Sequence, residues 1–386
     1  MPSAAKPQRV AIVTKAFAQS NNDYSMPPLI DLVRSLTDRL SITVYALNYP
    51  YERRTYDLFG ARVHAFGLGR MSGLAALPIL RRQLMRDHAS NPFDLIHAVW
   101  ADQPATLAMN IARRLKCPLV TSLYAGEAVW LPEIGYGSCG QQKHKDALTR
   151  VLAGSEIITA GSRNLAHLVH ERFGSTVRAV PLGYDARRFG PDGPRDALGP
   201  GRHIVTAASL GAVKGLDRLV AALQTLSGQR PDLLAGTTWH IVGPDPRDDA
   251  LRRKLSARIG GLPIRLHQAR PHWEMAALYR AADLALLTSH FESQCFAAIE
   301  AAACGTPVMG TAVGILPEMV SDEWLCPPES AAALPDVIAQ VLDNPQGWAG
   351  ECARQQTWLH SNARLEIARD RFLNLYQDAC YEERVT

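Results

Sequence analysis

Short runs of apolar and β-branched residues alternate with longer stretches of helical pattern along almost the whole chain, and the alternation breaks once, near the middle. RVAIVT, SITVYAL, FDLIHAVW, PLVTSLY and EIITA fall in the first half, and HIVTAAS, TWHIVG, PIRLH, ADLALLT and PVMGT in the second. Continuous apolar runs, as opposed to alternating ones, suit parallel strands covered on both faces by helices. Helical patterns at residues 28–39, 106–115 and 164–172 supply such cover in the first half. The expected class is α/β, with two Rossmann-like parallel-sheet domains. The Pro/Gly-rich residues 191–201 read as the linker between them. The expected division is a domain at 1–190, a second at 202–360, and a C-terminal helix at 361–386 packing back toward the N-terminal domain. Two such sheets facing across a cleft would bind ligands at the C-terminal ends of their strands.

A chain of 386 residues, 47% hydrophobic and 20% charged, is the right size for two domains of roughly 150–200 residues and wrong for a disordered protein. Its seven cysteines are scattered without a Cys-x-x-Cys pair, which argues against a disulfide framework or a structural zinc site. His167 and His170 share a helix face but lack a third ligand nearby in sequence. The apolar run Val10 to Val13 ends at Lys15, short of a secretory core of roughly 7–15 residues, so a cytoplasmic protein is expected. Residues 293–317 are long enough to span a bilayer but contain Glu300 and break at Gly305-Thr306-Pro307, so they read as helix, turn and strand.

The net charge of +4 is divided unevenly: residues 1–190 hold 23 Lys and Arg against 14 Asp and Glu, or +9, leaving −5 for the remainder. A basic first half suits an anionic membrane, an anionic acceptor or nucleic acid, and an unselected spread of surface arginine answers the count equally well. Within residues 71–87, Leu74, Leu77, Leu80 and Leu84 recur at near-helical spacing among Arg70, Arg81, Arg82 and Arg86, with Pro78 interrupting. Such an element can lie on an anionic membrane, here the inner membrane surface, or cover the first sheet as an ordinary surface helix. Nucleic acid is not an expected partner, because no aromatic-basic interleaving or reader motif accompanies the charge.

The most informative stretch runs from Thr288 to Val308. A strand ending near Thr288 turns through Glu292 to Cys295 and opens a helix that stops at Gly305. Unpaired N–H groups and the positive end of the helix dipole favour a phosphate at that helix start, with no metal. Glu292 and Glu300 are separated by seven residues, so one carboxylate can reach a sugar beside a diphosphate while the other accepts ribose hydroxyls. An ordinary strand-turn-helix with Glu300 solvated fits the spacing as well.

This stretch resembles the group 1 glycosyltransferases, the retaining family of the GT-B fold whose signature is Glu-x7-Glu followed by Ala-x-Ala-x-Gly-x-Pro-Val. Further stretches resemble the family in the same order: residues 93–100, 118–127, 180–189, 207–216 and 281–288. The resemblance implies a nucleotide-diphosphate sugar as donor, a saccharide or lipid-linked acceptor, no cofactor and no metal. It places Lys214 at the donor diphosphate, Glu292 beside the donor sugar and Glu300 at the ribose. Gly243 and Arg270 fall in segments bordering the base, and Ser293, Gln294, Cys295 and Phe296 form the turn into the phosphate-binding helix. Tyr124 and Glu127 stand where the family carries a histidine and an aspartate.

The chain departs from the family at several of these positions. Ser209 replaces the family arginine five residues before Lys214, residues 18–26 lack the paired glycines after the first strand, and Gln294-Cys295 replaces Phe-Gly. These departures set two readings side by side: a retaining, metal-independent glycosyltransferase, and a degenerate protein of the same fold that binds a nucleotide sugar or a partner without turnover. Neither an Asp-x-Asp, a Walker A loop nor a Gly-x-Gly-x-x-Gly after the first strand is present, which argues against a metal-clamped transferase, a triphosphatase and a dinucleotide oxidoreductase.

Overall fold

The computed structural model of the chain describes residues 9–23, 25–69, 73–209, 211–243 and 249–382. It divides into two compact units, the first ending at Gly183 and resuming at Leu365, the second comprising Tyr184–Arg364. The first unit carries eight strands, β1 (Arg9–Ala16), β2 (Ser41–Tyr49), β3 (Arg54–Leu58), β4 (Ala61–Ala65), β5 (Leu95–Val99), β6 (Leu119–Leu123), β7 (Ile157–Ala160) and β8 (Arg178–Ala179). In space they run β3-β4-β2-β1-β5-β6-β7-β8, parallel throughout except where β3 meets β4. Helices α1 (Pro27–Leu36), α2 (Gly73–Ser90), α3 (Gln103–Leu115), α4 (Gln142–Ala153) and α5 (Arg163–Phe173) complete the alternation. The apolar runs expected to be parallel strands are β1, β2, β5, β6 and β7. The β3–β4 hairpin was not legible in them. Its strands are short, β3 lies at the sheet edge, and the turn depends on positive φ at both Phe59 and Gly60.

Helix α2 continues through Pro78. Leu80 and Leu84 are buried and Leu77 is half-buried, while Arg81, Arg82 and Arg86 are exposed. Leu80 and Leu84, two of the leucines offered as a membrane-facing surface, are therefore taken up by internal packing. Arg70 and Met71 of that segment lie outside the described residues. Among the described residues no helix is long and apolar enough to cross a membrane.

The second unit holds six strands, β9 (Arg202–Ala207), β10 (Thr237–Val242), β11 (Ile264–His267), β12 (Leu284–Leu287), β13 (Val308–Thr311) and β14 (Leu325–Cys326). They run β11-β10-β9-β12-β13-β14, all parallel. Around them lie α6 (Leu216–Gln229), α7 (Pro231–Leu234), α8 (Asp249–Ile259), α9 (Met275–Ala281), α10 (Phe296–Ala303), α11 (Leu316–Met319), α12 (Leu334–Asp343) and α13 (Trp348–Asn362). Ile204, Leu219, Leu223, Trp239, Leu286 and Ile299 lie in its core.

The unit boundary differs from the expected linker. Residues 191–201 belong to the second unit, where the buried Arg280 donates to the carbonyls of Arg188, Gly190 and Pro194 at 3.0, 2.7 and 3.2 Å. The chain enters and leaves this unit side by side, with the Tyr184 N–H on the Ala363 carbonyl at 2.9 Å. Proline and glycine marked a tight path here, not a free one. The last helix, α14 (Leu365–Glu382), packs in the first unit. Its Tyr376 hydroxyl meets buried His97 Nδ1 of β5 at 2.8 Å, His97 Nε2 meets Ser122 Oγ of β6 at 2.8 Å, and Ser122 meets Thr159 of β7 at 2.6 Å.

A second polar chain crosses the other sheet. His203 on β9, His240 on β10 and His267 on β11 touch ring nitrogen to ring nitrogen at 3.0 and 2.8 Å, and His203 Nε2 lies 3.1 Å from the Gly199 carbonyl. A carbonyl only accepts, so Nε2 of His203 must donate, and that polarity passes along the ladder and fixes all three tautomers. Adding a proton to His240 would set donor against donor.

Burial holds His97 down to about 3 and, with the neighbouring histidines, His240 down to about 4; it also lowers His64, His88 and His267. The unfolded chain takes up these protons near the ordinary value of 6.5 while the native state refuses them. This contribution is complete above that value and is lost as pH falls toward the folded values. Stability should drop between about pH 6.5 and about pH 4.5, by roughly 2 kcal/mol through His97 alone, on a scale of about 1.4 kcal/mol per unit. Urea unfolding midpoints measured across that window test this, and a flat profile would contradict it. A second expectation concerns Gly215, at φ +62, where a Cβ would fall 2.1 Å from the Thr288 carbonyl oxygen. Gly215→Ala should cost about 1–3 kcal/mol, read as a lowered melting temperature, and an unchanged one would refute the close approach.

Candidate active site

In the second sheet β9 and β12 are neighbours, and the chain proceeds from β9 toward one edge and from β12 toward the other. Loops leaving the C-terminal ends of two such strands diverge, and the crevice between them is where open parallel sheets hold ligands. Two interactions zip these loops together at their base. The His290 N–H donates to the Val213 carbonyl at 2.7 Å, and the Thr288 hydroxyl bonds to the Lys214 and Gly215 carbonyls at 3.2 and 3.0 Å. Lys214, after β9, is thereby brought to Glu292, after β12, with Nζ 2.6 Å from Oε1. The Ser289 hydroxyl donates to the same Oε1 at 2.7 Å. Lys214 keeps 29% of its side chain exposed and Glu292 keeps 11%, so the pair sits at the surface of the crevice. Ser209 is exposed on the loop that carries Lys214.

The turn from Glu292 into α10 is tight. Cys295 adopts φ +77, in the left-handed region favoured by glycine, which is the residue the family carries there. Its thiol is buried and pushed up, chiefly by desolvation and next by Glu292, so it is held as an uncharged thiol and is not a poised nucleophile. Gln294 is fully buried, and its carbonyl accepts from Ile315 N–H at 3.0 Å. These two residues hold the turn, while Ser293 and Phe296 stay half-buried beside the start of α10. The first N–H groups of that eight-residue helix have no partner within it, and that of Ala298 bonds to the Cys295 sulfur.

Glu300 lies further along α10 and is buried at 7% exposure. His272 Nε2 meets its Oε1 at 2.7 Å, and the buried Tyr279 hydroxyl is also hydrogen-bonded to it. The His272 ring packs on Phe189 with centroids 5.0 Å apart. His272 was missed in the sequence because its partner is 28 residues away and a lone histidine after a proline carries no spacing signal. Arg270, two residues earlier, is ion-paired with Asp196 of the 191–201 segment and is not a free cation. Gly243 ends β10 beside the β9 loop, with Ala208 N–H on the Val242 carbonyl at 2.9 Å. Pro244 and Asp245, expected to border a base, lie outside the described residues.

The first unit repeats the arrangement. Its β1 and β5 are the neighbouring strands from which the chain diverges, and Lys15 at the end of β1 forms an ion pair with Asp102 after β5. Glu127, after β6, is buried and accepts the N–H groups of Ala101 and Tyr124, both at 3.3 Å, and of Ala125 at 2.7 Å. Burial first and the Asp102 charge second push its carboxyl up. Tyr124 departs from its expected role in binding a substrate. The side chain is 8% exposed, its hydroxyl reaches the Val180 carbonyl at 3.4 Å, and Ser122 and Thr159 also approach it. A phenol buried among hydroxyls and a carbonyl is held inside the sheet. Among the described residues no group of three or more His, Cys, Asp or Glu is placed to hold a metal.

Comparison with known proteins identifies the family and the fold. Residues 201–344 match the profile of the glycosyl transferases group 1, and residues 30–185 that of a glycosyl transferase 4-like domain. The glycogen synthase of Mycobacterium tuberculosis H37Rv is 28% identical over 294 residues, 74% of this chain and 69% of that protein. The D-inositol 3-phosphate glycosyltransferase of Frankia alni is 30% identical over 291 residues, 69% of each chain. In three dimensions the chain is similar to Anabaena HepE, solved in complex with UDP and glucose, at a TM-score of 0.71 and 17% identity, covering 96% of this chain and 99% of that one. This likeness extends over both parallel-sheet units and identifies the fold as GT-B. With its two halves matched by these profiles and a 30% identical relative covered over 69% of its length, the chain belongs to the group 1 glycosyltransferases.

Proposed function

We propose that this glycosyltransferase moves a sugar from a nucleoside diphosphate sugar to a hydroxyl of a saccharide or lipid-linked acceptor, with retention of anomeric configuration and without a metal. The observation that carries the reading is the Lys214–Glu292 pair at the β9/β12 divergence, beside the start of α10. Breaking a glycosidic bond to a diphosphate builds negative charge on the leaving phosphates. A lysine ammonium and the open N–H groups of a helix start both stabilise that charge from fixed positions. Lys214 would exchange its contact with Glu292 for the diphosphate, leaving Glu292 to face the sugar. Glu300, anchored on one oxygen by His272, would accept ribose hydroxyls with its remaining capacity. The complex of HepE with UDP and glucose favours a UDP-sugar as the first donor to test. Retention and the acceptor class are part of the same proposal, supported by the resemblance to the family.

Two experiments test it. Turnover should survive EDTA, because the stabilising charge is supplied by Lys214 and the helix; loss in EDTA with recovery on adding magnesium would overturn the metal-free mechanism. The roles of the two site residues should also separate. Glu300→Ala removes an interaction made in ground and transition states alike and should weaken nucleotide binding by about 1–3 kcal/mol. Lys214→Ala should lower kcat by about 100- to 1000-fold with a smaller change in donor affinity. Unchanged nucleotide binding in Glu300→Ala would refute the site. Donor binding by the wild type without transfer or hydrolysis, across a panel of nucleotide sugars and acceptors, would refute the activity.

A further inference from the structure

Glu300 is clasped by a single segment of the chain. Its carboxylate projects from the second turn of α10, and two donors reach it from residues 272–281, which follow the edge strand β11. His272 Nε2 lies 2.7 Å from Oε1, and the hydroxyl of the fully buried Tyr279 is hydrogen-bonded to the same carboxylate. The two donors stand seven residues apart, in a 3₁₀ turn, His272–Glu274, that runs into α9. Seven residues are close to two helical turns, so one face of this stretch presents both. His272 is itself held, because its ring packs on the buried Phe189, and all of these residues belong to the second unit.

The chemistry of the contact has one sense. A carboxylate only accepts, so Nε2 of His272 supplies the hydrogen whether or not the ring carries a second one. The last torsion of a glutamate is broad, and a carboxylate without an anchor samples many orientations. Fixing Oε1 sets the plane of the group and with it the direction of the second oxygen. The side chain of Glu300 keeps 9% of its surface exposed and that of His272 15%, so the orientation of the carboxylate decides what little it presents to a ligand.

We infer that His272 is a positioning residue for selection of the nucleotide sugar moiety: by holding Oε1 it turns the other oxygen of Glu300 toward the ribose hydroxyls, and the site favours ribonucleotides over deoxyribonucleotides. Phe189 stands behind it and holds the imidazole. The inference rests on the donor reading proposed above, in which Glu300 meets the ribose, and adds the residue that orients it. Without the anchor the ligand itself must order the carboxylate, and that cost falls only on a ligand with hydroxyls to bind it. A nucleotide lacking those hydroxyls is indifferent to the anchor. A merely structural role for His272 would weaken both kinds of nucleotide alike.

The test measures, by titration calorimetry on the full-length protein, the binding of UDP, ADP and GDP and of their 2′,3′-dideoxy counterparts. The tightest ribonucleotide should bind at least about tenfold more tightly than its dideoxy counterpart, the scale of a hydrogen bond to a charged group. Glu300→Ala should bring that ratio close to one, which reports the donor reading by itself. His272→Phe keeps an aromatic ring against Phe189 and removes the donor. It should lower the ratio to about threefold or less while leaving dideoxynucleotide affinity within about twofold of the wild type. His272→Asn, whose shorter amide does not reach Oε1, should do the same and gives the result if the phenylalanine variant does not fold. His272→Gln, whose amide nitrogen reaches the place of Nε2, should restore the ratio to within about threefold of the wild type. A ratio lowered by Glu300→Ala but kept in the His272→Phe and His272→Asn variants would overturn the positioning role and leave the donor reading standing. Equal losses of ribonucleotide and dideoxynucleotide binding in those variants would also overturn it. A ratio untouched by Glu300→Ala, or no binding of any of the three ribonucleotides, would overturn the donor reading and this inference together.

Discussion

A parallel sheet covered on both faces by helices leaves its polar chemistry to the loops at the strand ends, because a charged side chain within a strand would be buried against apolar neighbours. This constraint organises both units. Each sheet has one pair of adjacent strands from which the chain departs in opposite directions, β1 with β5 and β9 with β12, and at each pair a lysine meets a carboxylate. Near the surface such an ion pair contributes only about 0–1 kcal/mol, so the Lys214–Glu292 contact does not hold the loops in place. The backbone bond from His290 to Val213 and the Thr288 hydroxyl do that, and Gly215 allows the approach. The ion pair is a consequence of the scaffold and remains available for exchange with a ligand.

The parallel strands were legible because continuous apolar runs have few other uses in a chain of this size, and the site loop was legible because Glu292, Glu300 and Gly305 keep a local spacing within one turn and one helix. What was not legible depends on long-range partners. Glu300 is held by His272 and Tyr279 from a separate segment, Arg270 is neutralised by Asp196, and His97 binds Tyr376 across 279 residues. Composition also misread the Pro/Gly segment. Proline and glycine fix or permit particular backbone angles, which suits a chain threading under the Arg280 guanidinium as well as it suits a linker.

The departures from the family pattern have physical readings. At Cys295 the backbone keeps the left-handed angle that glycine serves elsewhere, so the turn survives the substitution with a strained residue in place of a free one. The burial of Gln294 and the bond from Ile315 to its carbonyl supply the surrounding packing that such an angle requires. At Tyr124 the phenol is buried within the hydroxyl network of the first sheet.

Charge summed over half a chain therefore describes the wrong object. The surplus of arginine in the first half includes Arg81, Arg82 and Arg86 on the outer face of α2, where solvent and salt screen them over about 8–10 Å. The loops at the strand ends are governed instead by a few groups close at hand, the Lys214–Glu292 pair after β9 and β12 and the Lys15–Asp102 pair at β1 and β5. Groups at contact distance are screened far less than exposed arginines a Debye length away.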